Sequence, residues 1–440
     1  MDASTSPRGD ALIMFGLTGD LGRSKIIPAL AELRGDQRLE DIPLVGVGRT
    51  ERTDGDLRAL VRDALPTSAD VVRSDLAARL RYVQGDATEV ATFDALADRL
   101  DDARNPVVYA AVPPAVFGEV AHAIEASRLP EGTRIVVEKP FGSDAASARA
   151  LFDDMMDAVG AERVFIVDHF LAKAAVENLL TVRTTNALLD TVLHRRAVKA
   201  IRVEMLERED VAGRGSFYEQ VGVVDDVVQN HLVQLAALAL MERPADDSDE
   251  SYHAARSATI RAMSIDPDSV VLGQYVGYGD HDDVDADSDT PTFCSFTLSV
   301  DADRWRGVPI EVVGGKALDT DSTAVVFELV EPGDNTIRFG VKPDATIAVD
   351  IQLLDSTTDH HASASTSTRR SQATLCGPNE HGRLGDYATL LDDALDGTKR
   401  HFAHIDDVVH GWELVATISG PGHDERGTVR RYDPGTAGPS

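Results

Sequence analysis

The feature that most constrains this chain is a regular alternation across its first third. Short β-branched runs are separated there by stretches with helical spacing. ALIMFG (11–16), IPLVGVG (42–48), RLRYVQG (79–85), PVVYAAV (106–112), RIVVEKP (134–140) and RVFIVD (163–168) read as buried strands. Segments between them, such as IIPALAELRG, read as helices. Parallel strands need long crossovers, and helices supply them, so the pattern predicts an α/β domain over residues 1–172 with a Rossmann-type, doubly wound parallel sheet. From about residue 198 the alternation gives way to longer β-rich segments, KAIRVEMLE, TPTFCSFTLSV, TAVVFELV and NTIRFGV. These predict a second domain, 173–440, of α+β type with a large, mainly antiparallel sheet. A chain of 440 residues exceeds what one core usually serves. Segments 244–251, 279–290 and 356–368 read as exposed loops.

Charge narrows the function. The net charge of −31 argues against nucleic acid or an anionic membrane as the main partner. There is no apolar run of membrane-spanning length, and the opening MDASTSPRGD lacks the apolar stretch of a signal peptide. Two cysteines, Cys294 and Cys376, are too few for a disulfide framework or a cysteine-built metal site. A cytoplasmic setting and no metal centre are the expectation. Lysine is scarce: of the seven, Lys25, Lys139, Lys173 and Lys316 fall inside the motifs below. Cations spared in this way suit an anionic ligand. The acidic exterior fits a salty cytoplasm or a solubility preference equally.

The first strand ends in GLTGDLGRSK (16–25). Gly16 and Gly19 let the backbone turn tightly and approach a pyrophosphate at the following helix, although an ordinary strand–helix turn also uses such glycines. The second strand is followed at once by Arg49 and Thr50. An arginine there suits a ribose 2′-phosphate, which favours NADP over NAD. In VVEKPFG (136–142), Lys139 leaves a buried strand at the ligand edge of the sheet, and Pro140 is a candidate for a cis bond. In VDHFLAK (167–173), His169 and Lys173 lie four apart, so on a helical turn both reach one phosphate. In GRGSFYEQVGVVDDVVQNHLVQLAALALMERP (213–244), Val224, Val227, Val228, His231 and Leu235 share one helical face. A lone histidine on such a face is usually a satisfied core residue. Asp226, Gln229 and Asn230 beside it shift the reading towards function.

In order along nearly the whole chain, GLTGDLGRSK, YAAVPP, VVEKPFG, VDHFLAK, GRGSFYEQ with DDVVQNHL, and RWRGVPIEVVGGKAL resemble the motifs of glucose-6-phosphate dehydrogenases. DYATLLDDALDGTKRHFAHIDDVVHGW and YDPGTAGP fit as well. The resemblance implies His231 as general base and Asp168 as the carboxylate that orients it. It implies His169 and Lys173 on the sugar phosphate, and Lys139, Glu207, Asp226 and Lys316 on the sugar. Gly16, Thr18, Gly19, Asp20, Lys25, Arg49 and Lys139 fall at cofactor positions. Oxidation of glucose 6-phosphate at C1 with NADP, by a homodimer or homotetramer, is the implied activity. The chain departs from the family at Phe170, Val313, Asp321, Asp225 and Glu219. These changes remove cations and a tyrosine, and they keep open a paralogue acting on another sugar or amino-sugar phosphate. They also keep open a catalytically idle NADP-binding partner subunit.

Overall fold

A computed structural model describes residues 7–39, 41–100, 102–330, 335–354, 368–376, 384–419 and 429–439. It contains two compact units. The first comprises 1–173, 246–253 and 384–409, and the second 174–245, 254–383 and 410–440. Neither is continuous in sequence, so late segments of the chain complete the first unit.

In the first unit, β1 (Ala11–Phe15), β2 (Leu44–Gly48), β3 (Leu80–Gln84), β4 (Pro106–Ala110), β5 (Arg134–Val137) and β6 (Val164–Val167) form a parallel sheet in the order β6-β5-β4-β1-β2-β3. Phe402–Ala403 adds an antiparallel edge beside β6. This is the doubly wound order, and the strand sequence reverses between β1 and β4, where ligands bind in such sheets. β1 and β4 are fully buried, which is why both read as unbroken apolar runs. Helix starts are fixed locally: Thr53 and Asp144 each form a capping box, with Asp56 and Ser147, worth about 1 kcal/mol apiece.

The second unit is built on a ten-stranded sheet. Its strands are β7 (Val198–Leu206), β8 (Met263–Ile265), β9 (Val271–Tyr275), β10 (Phe293–Val300), β11 (Ile310–Gly315), β12 (Ser322–Leu329), β13 (Thr336–Lys342), β14 (Thr346–Leu354), β15 (Thr368–Cys376) and Arg430–Tyr432. The main path runs β15-β14-β13-β12-β7-β11-β10-β9, with β8 on β10 and Arg430–Tyr432 on β9. Among the described residues, only β7 with β11 and β9 with Arg430–Tyr432 pair in parallel as strands of this sheet; the other strand pairings are antiparallel.

One loop expectation is corrected. Within 244–251, a helix begins at Asp249 and runs to Arg261. Ser248 accepts from the backbone N–H of Ser251 at 3.2 Å, and Asp249 and Glu250 sit in the first turn, where carboxylates favour a helix N-terminus. The acidic run is a helix start as much as a solvated loop. Most of 279–290 is exposed. Residues 356–367 lie outside the described residues, and Thr368 opens β15. No helix among the described residues is long and apolar enough to cross a membrane.

Candidate functional site

The first unit holds Gly16, Thr18, Gly19, Asp20, Lys25, Arg49, Lys139, Asp168, His169 and Lys173; the second holds Glu207, Asp226, His231 and Lys316. The loop after β1 is shaped by backbone proximity. Gly16 has φ +72°, and a Cβ there would stand 2.4 Å from the Ala111 carbonyl oxygen at the end of β4. Gly19 donates its N–H to Gly16 O at 2.9 Å. A Cβ on Gly22 would lie 2.1 Å from Leu17 O and 2.4 Å from its carbonyl carbon. Gly22 was not singled out in the sequence, although Gly16, Gly19 and Gly22 recur every third residue. It opens a wide helical turn, Gly22–Ile26, that runs into the helix Ile27–Gly35 and carries the exposed Lys25. Gly19 and Asp20 are exposed on this turn and Thr18 is half-buried. A loop with backbone this close, leading into a helix, fits the pyrophosphate of a dinucleotide.

Arg49 is exposed just beyond β2, where Gln84 Nε2 donates to its carbonyl at 3.0 Å. The Tyr82 hydroxyl donates to the carbonyls of Gly48 and Thr50, which ties down the backbone on both sides of Arg49. At the end of β5, Lys139–Pro140 is a cis peptide. The preceding Glu138 accepts from the buried Tyr109 hydroxyl. Burial pushes the Glu138 carboxyl upward, against the pull of Tyr109 and Lys139.

After β6, Asp168 is buried, and its Oδ1 accepts from the Phe170 N–H at 3.0 Å. The expected helical turn under His169 and Lys173 is absent. Leu171 N–H bonds Asp168 O and Lys173 N–H bonds Phe170 O, so the segment makes successive turns and the helix starts only at Ala174. The short-range bond from Asp168 fixes this local turn in place of a helix. His169 and Lys173 nevertheless converge on a residue the sequence did not single out, Asp386. Lys173 Nζ donates to Asp386 Oδ2 at 2.8 Å and lies 5.1 Å from the Phe170 ring centroid. The His169 ring stacks on Tyr387 at 5.9 Å. Burial pushes the Asp386 carboxyl up, but Lys173 and His169 outweigh it and hold it below the ordinary value.

In the second unit, Glu207 follows β7 and Lys316 follows β11. Lys316 Nζ donates to Glu207 Oε2 at 2.5 Å. The C-terminal segment fixes this corner: the Tyr432 hydroxyl donates to Lys316 O at 2.7 Å, and Gly435 N–H to Ala317 O at 2.8 Å. Ala317 itself is held at φ +52°, an unusual conformation for a residue with a Cβ. Gly222, at φ +56°, breaks the helix that begins at Gly215, and a wide π-helical turn follows over Val224–Leu232. Asp226 and His231 both lie on it. His231 is buried, and its backbone N–H donates to Asn230 Oδ1 at 2.6 Å. Val224, Val227, Val228, His231 and Leu235 are all buried, as the apolar stripe predicts, although the winding is wider than an α-helix. Wide turns of this kind are rare and recur at functional sites.

Residues 13–178 match the model of the glucose-6-phosphate dehydrogenase NAD binding domain, and 180–440 match that of the C-terminal domain of the same enzyme. The chain belongs to the glucose-6-phosphate dehydrogenase family. It is thus an oxidoreductase whose first domain binds a nicotinamide cofactor. Glucose-6-phosphate 1-dehydrogenase 1 of Mycobacterium tuberculosis is 34% identical, covering 98% of this chain and 93% of that one. The Bacillus subtilis enzyme is 29% identical over 100% of this chain and 96% of its own. The crystal structure of the Mycobacterium avium enzyme superposes with a TM-score of 0.88 at 32% identity, covering 99% and 96% of the two chains. A glucose-6-phosphate dehydrogenase in complex with its substrate glucose-6-phosphate gives 0.90 at 25%, covering 99% and 97%.

The departures from the family pattern have local accounts. Phe170 is buried and puts its ring under Lys173. Val313 is buried on β11. Asp321 accepts from the Arg208 N–H at 2.9 Å. Glu219 accepts from the hydroxyls of Tyr278 at 2.8 Å and Thr290 at 3.2 Å. Asp225 is pushed up to about 6 by burial.

Proposed function

We propose that this chain oxidises glucose 6-phosphate at C1 to 6-phosphogluconolactone with NADP, the first step of the oxidative pentose phosphate pathway. The end-to-end likeness to a dehydrogenase in complex with its substrate glucose-6-phosphate carries this reading. The family's functional residues are also present: His231, Asp168, Lys139, His169, Lys173, Glu207, Asp226 and Lys316.

In this reading, His231 takes the proton of the C1 hydroxyl as the C1–H bond breaks, and the C1–O bond becomes a carbonyl. The nicotinamide, when bound, accepts the hydride. Asp168 fixes the imidazole tautomer and favours its charged form. His169 and Lys173 hold the phosphate, and Asp386 sets where the Lys173 ammonium stands beforehand. Lys139, Glu207, Asp226 and Lys316 bind sugar hydroxyls. The loop from Gly16 through Thr18, Gly19 and Asp20 to Lys25 would hold the pyrophosphate of the cofactor, and Lys139 would be a further cofactor contact. Arg49 pairs with the 2′-phosphate. A cytoplasmic homodimer or homotetramer is part of the proposal. The exposed Ile351, Leu353 and Leu375 on β14 and β15 support association through the antiparallel sheet.

The test is an initial-rate comparison with glucose 6-phosphate, using NADP and NAD, at low and high salt. Rapid turnover favouring NADP is expected, and Arg49→Ala should raise the KM for NADP about tenfold while leaving NAD unchanged. Folded, cofactor-binding protein that turns over no glucose 6-phosphate at any salt would overturn the reading.

A further inference from the structure

Tyr218 presents an anomaly that the proposed chemistry does not use. The residue is only 1% exposed, yet among the described residues its hydroxyl has no hydrogen-bond partner. A buried hydroxyl without a partner destabilises the state that contains it, so native structures usually give each such group a use. Its neighbours are occupied. The Tyr278 hydroxyl donates to Glu219 at 2.8 Å, the Tyr432 hydroxyl to Lys316 O at 2.7 Å, and Glu207 accepts from Lys316 at 2.5 Å. The Lys316 ammonium stands 5.5 Å from the centre of the Tyr218 ring, within cation–π range. Burial first, then the Asp226 carboxylate, keep the phenol protonated, with smaller contributions from Tyr432, Glu207 and Tyr278. The hydroxyl is therefore a standing donor on a ring that faces Lys316, one of the groups assigned to the sugar.

We propose that Tyr218 is a positioning residue of the sugar site: its ring face holds the Lys316 ammonium, and its hydroxyl is reserved for the Asp226 carboxylate in the sugar-bound state. The proposal rests on the reading of Asp226 and Lys316 as sugar contacts. Donation from Tyr218 then fixes one carboxylate oxygen and leaves the other to accept from a sugar hydroxyl.

The experiment uses the full chain, wild type beside Tyr218→Phe and Tyr218→Leu. Thermal stability is measured with and without glucose 6-phosphate, and KM and kcat with both substrates. Tyr218→Phe keeps the ring and removes the unpaired hydroxyl. Its ligand-free Tm should equal or exceed that of wild type. Its KM for glucose 6-phosphate should rise roughly 3- to 10-fold, the equivalent of one hydrogen bond. The KM for NADP should stay within about twofold, and the Tm gain on adding sugar phosphate should shrink. Tyr218→Leu, which also loses the ring face, should raise the sugar-phosphate KM further. A Tyr218→Phe protein with wild-type KM and a wild-type ligand-induced Tm gain overturns the proposal. So does a drop in ligand-free Tm with KM unchanged, which would mark a purely structural hydroxyl. Failure of the underlying activity looks different, because wild type itself would then show neither turnover nor a Tm gain.

Discussion

The loop after β1 and the corner around Lys316 are built in opposite ways. The loop relies on backbone approach: Gly16 and Gly22 exist to let carbonyls come within distances a Cβ forbids, and its side chains Thr18, Asp20 and Lys25 are left partly or wholly exposed. The Lys316 corner relies on buried polar side chains. Lys316 is 9% exposed, paired with Glu207, set over Tyr218 and pinned through its carbonyl by Tyr432. Backbone recognition of a pyrophosphate needs space more than charge, whereas holding a desolvated ammonium in one place needs partners on every side. In a chain with a net charge of −31, Lys316 is a lysine held firmly in place.

His231→Asn keeps a polar side chain at this buried position and removes the proposed base. Turnover of glucose 6-phosphate by His231→Asn should fall roughly 10²- to 10⁴-fold. NADP binding, read by fluorescence titration, should stay within about twofold, because the backbone-built loop is untouched. Near-normal turnover would disprove the base assignment.

Within the loop itself, the middle and last glycines should separate sharply. Gly22→Ala drives a methyl into the Leu17 peptide group, and denaturant unfolding should show a loss of about 2–4 kcal/mol together with weaker cofactor binding. Gly19→Ala meets only Gly16 O, at 3.2 Å, so its stability loss should be markedly smaller. Equal losses at both positions would mean that close approach is not what Gly22 provides.

A smaller effect sharpens the polar side. Asp225 rises from 3.8 to about 6 on burial. The folded chain then keeps this proton over a range where the unfolded chain has released it. Folding stability contributed here is therefore lost as pH rises from about 4 to 6, and it stays lower above. Asp225→Asn should raise Tm at pH 7 and leave it nearly unchanged near pH 4. A constant difference at both pH values would place the effect elsewhere than in ionisation.

Strands and cofactor loop were legible because their signals are local. β1 to β6 fall inside the six apolar runs, β10 falls inside one of the four longer segments, and β7, β12 and β13 each overrun theirs by one residue. Short or polar strands such as β8 (MSI), β9 (VLGQY) and β15 (TRRSQATLC) carry no such run, since pairing with neighbours rather than burial of both faces defines them. The helix beginning at Asp249 was misread because an acidic first turn and a solvated loop have the same composition. Gly22 lay in plain view as the third glycine of an evenly spaced set.

Asp386 is a different case. It reaches Lys173 across 213 residues, and nothing within either segment announces the other. Glu207 and Lys316 are paired across 109 residues in the same way. By itself, then, the sequence determined the two kinds of sheet, the glycine turn and the set of chemically able residues, because periodicity and conformational freedom are written in neighbouring positions. Only the tertiary structure decided which charge answers which, the turn under His169 and Lys173, the wide helix beneath His231 and the unpaired hydroxyl of Tyr218. Those depend on segments far apart in the chain being brought within a hydrogen bond of one another, or failing to be.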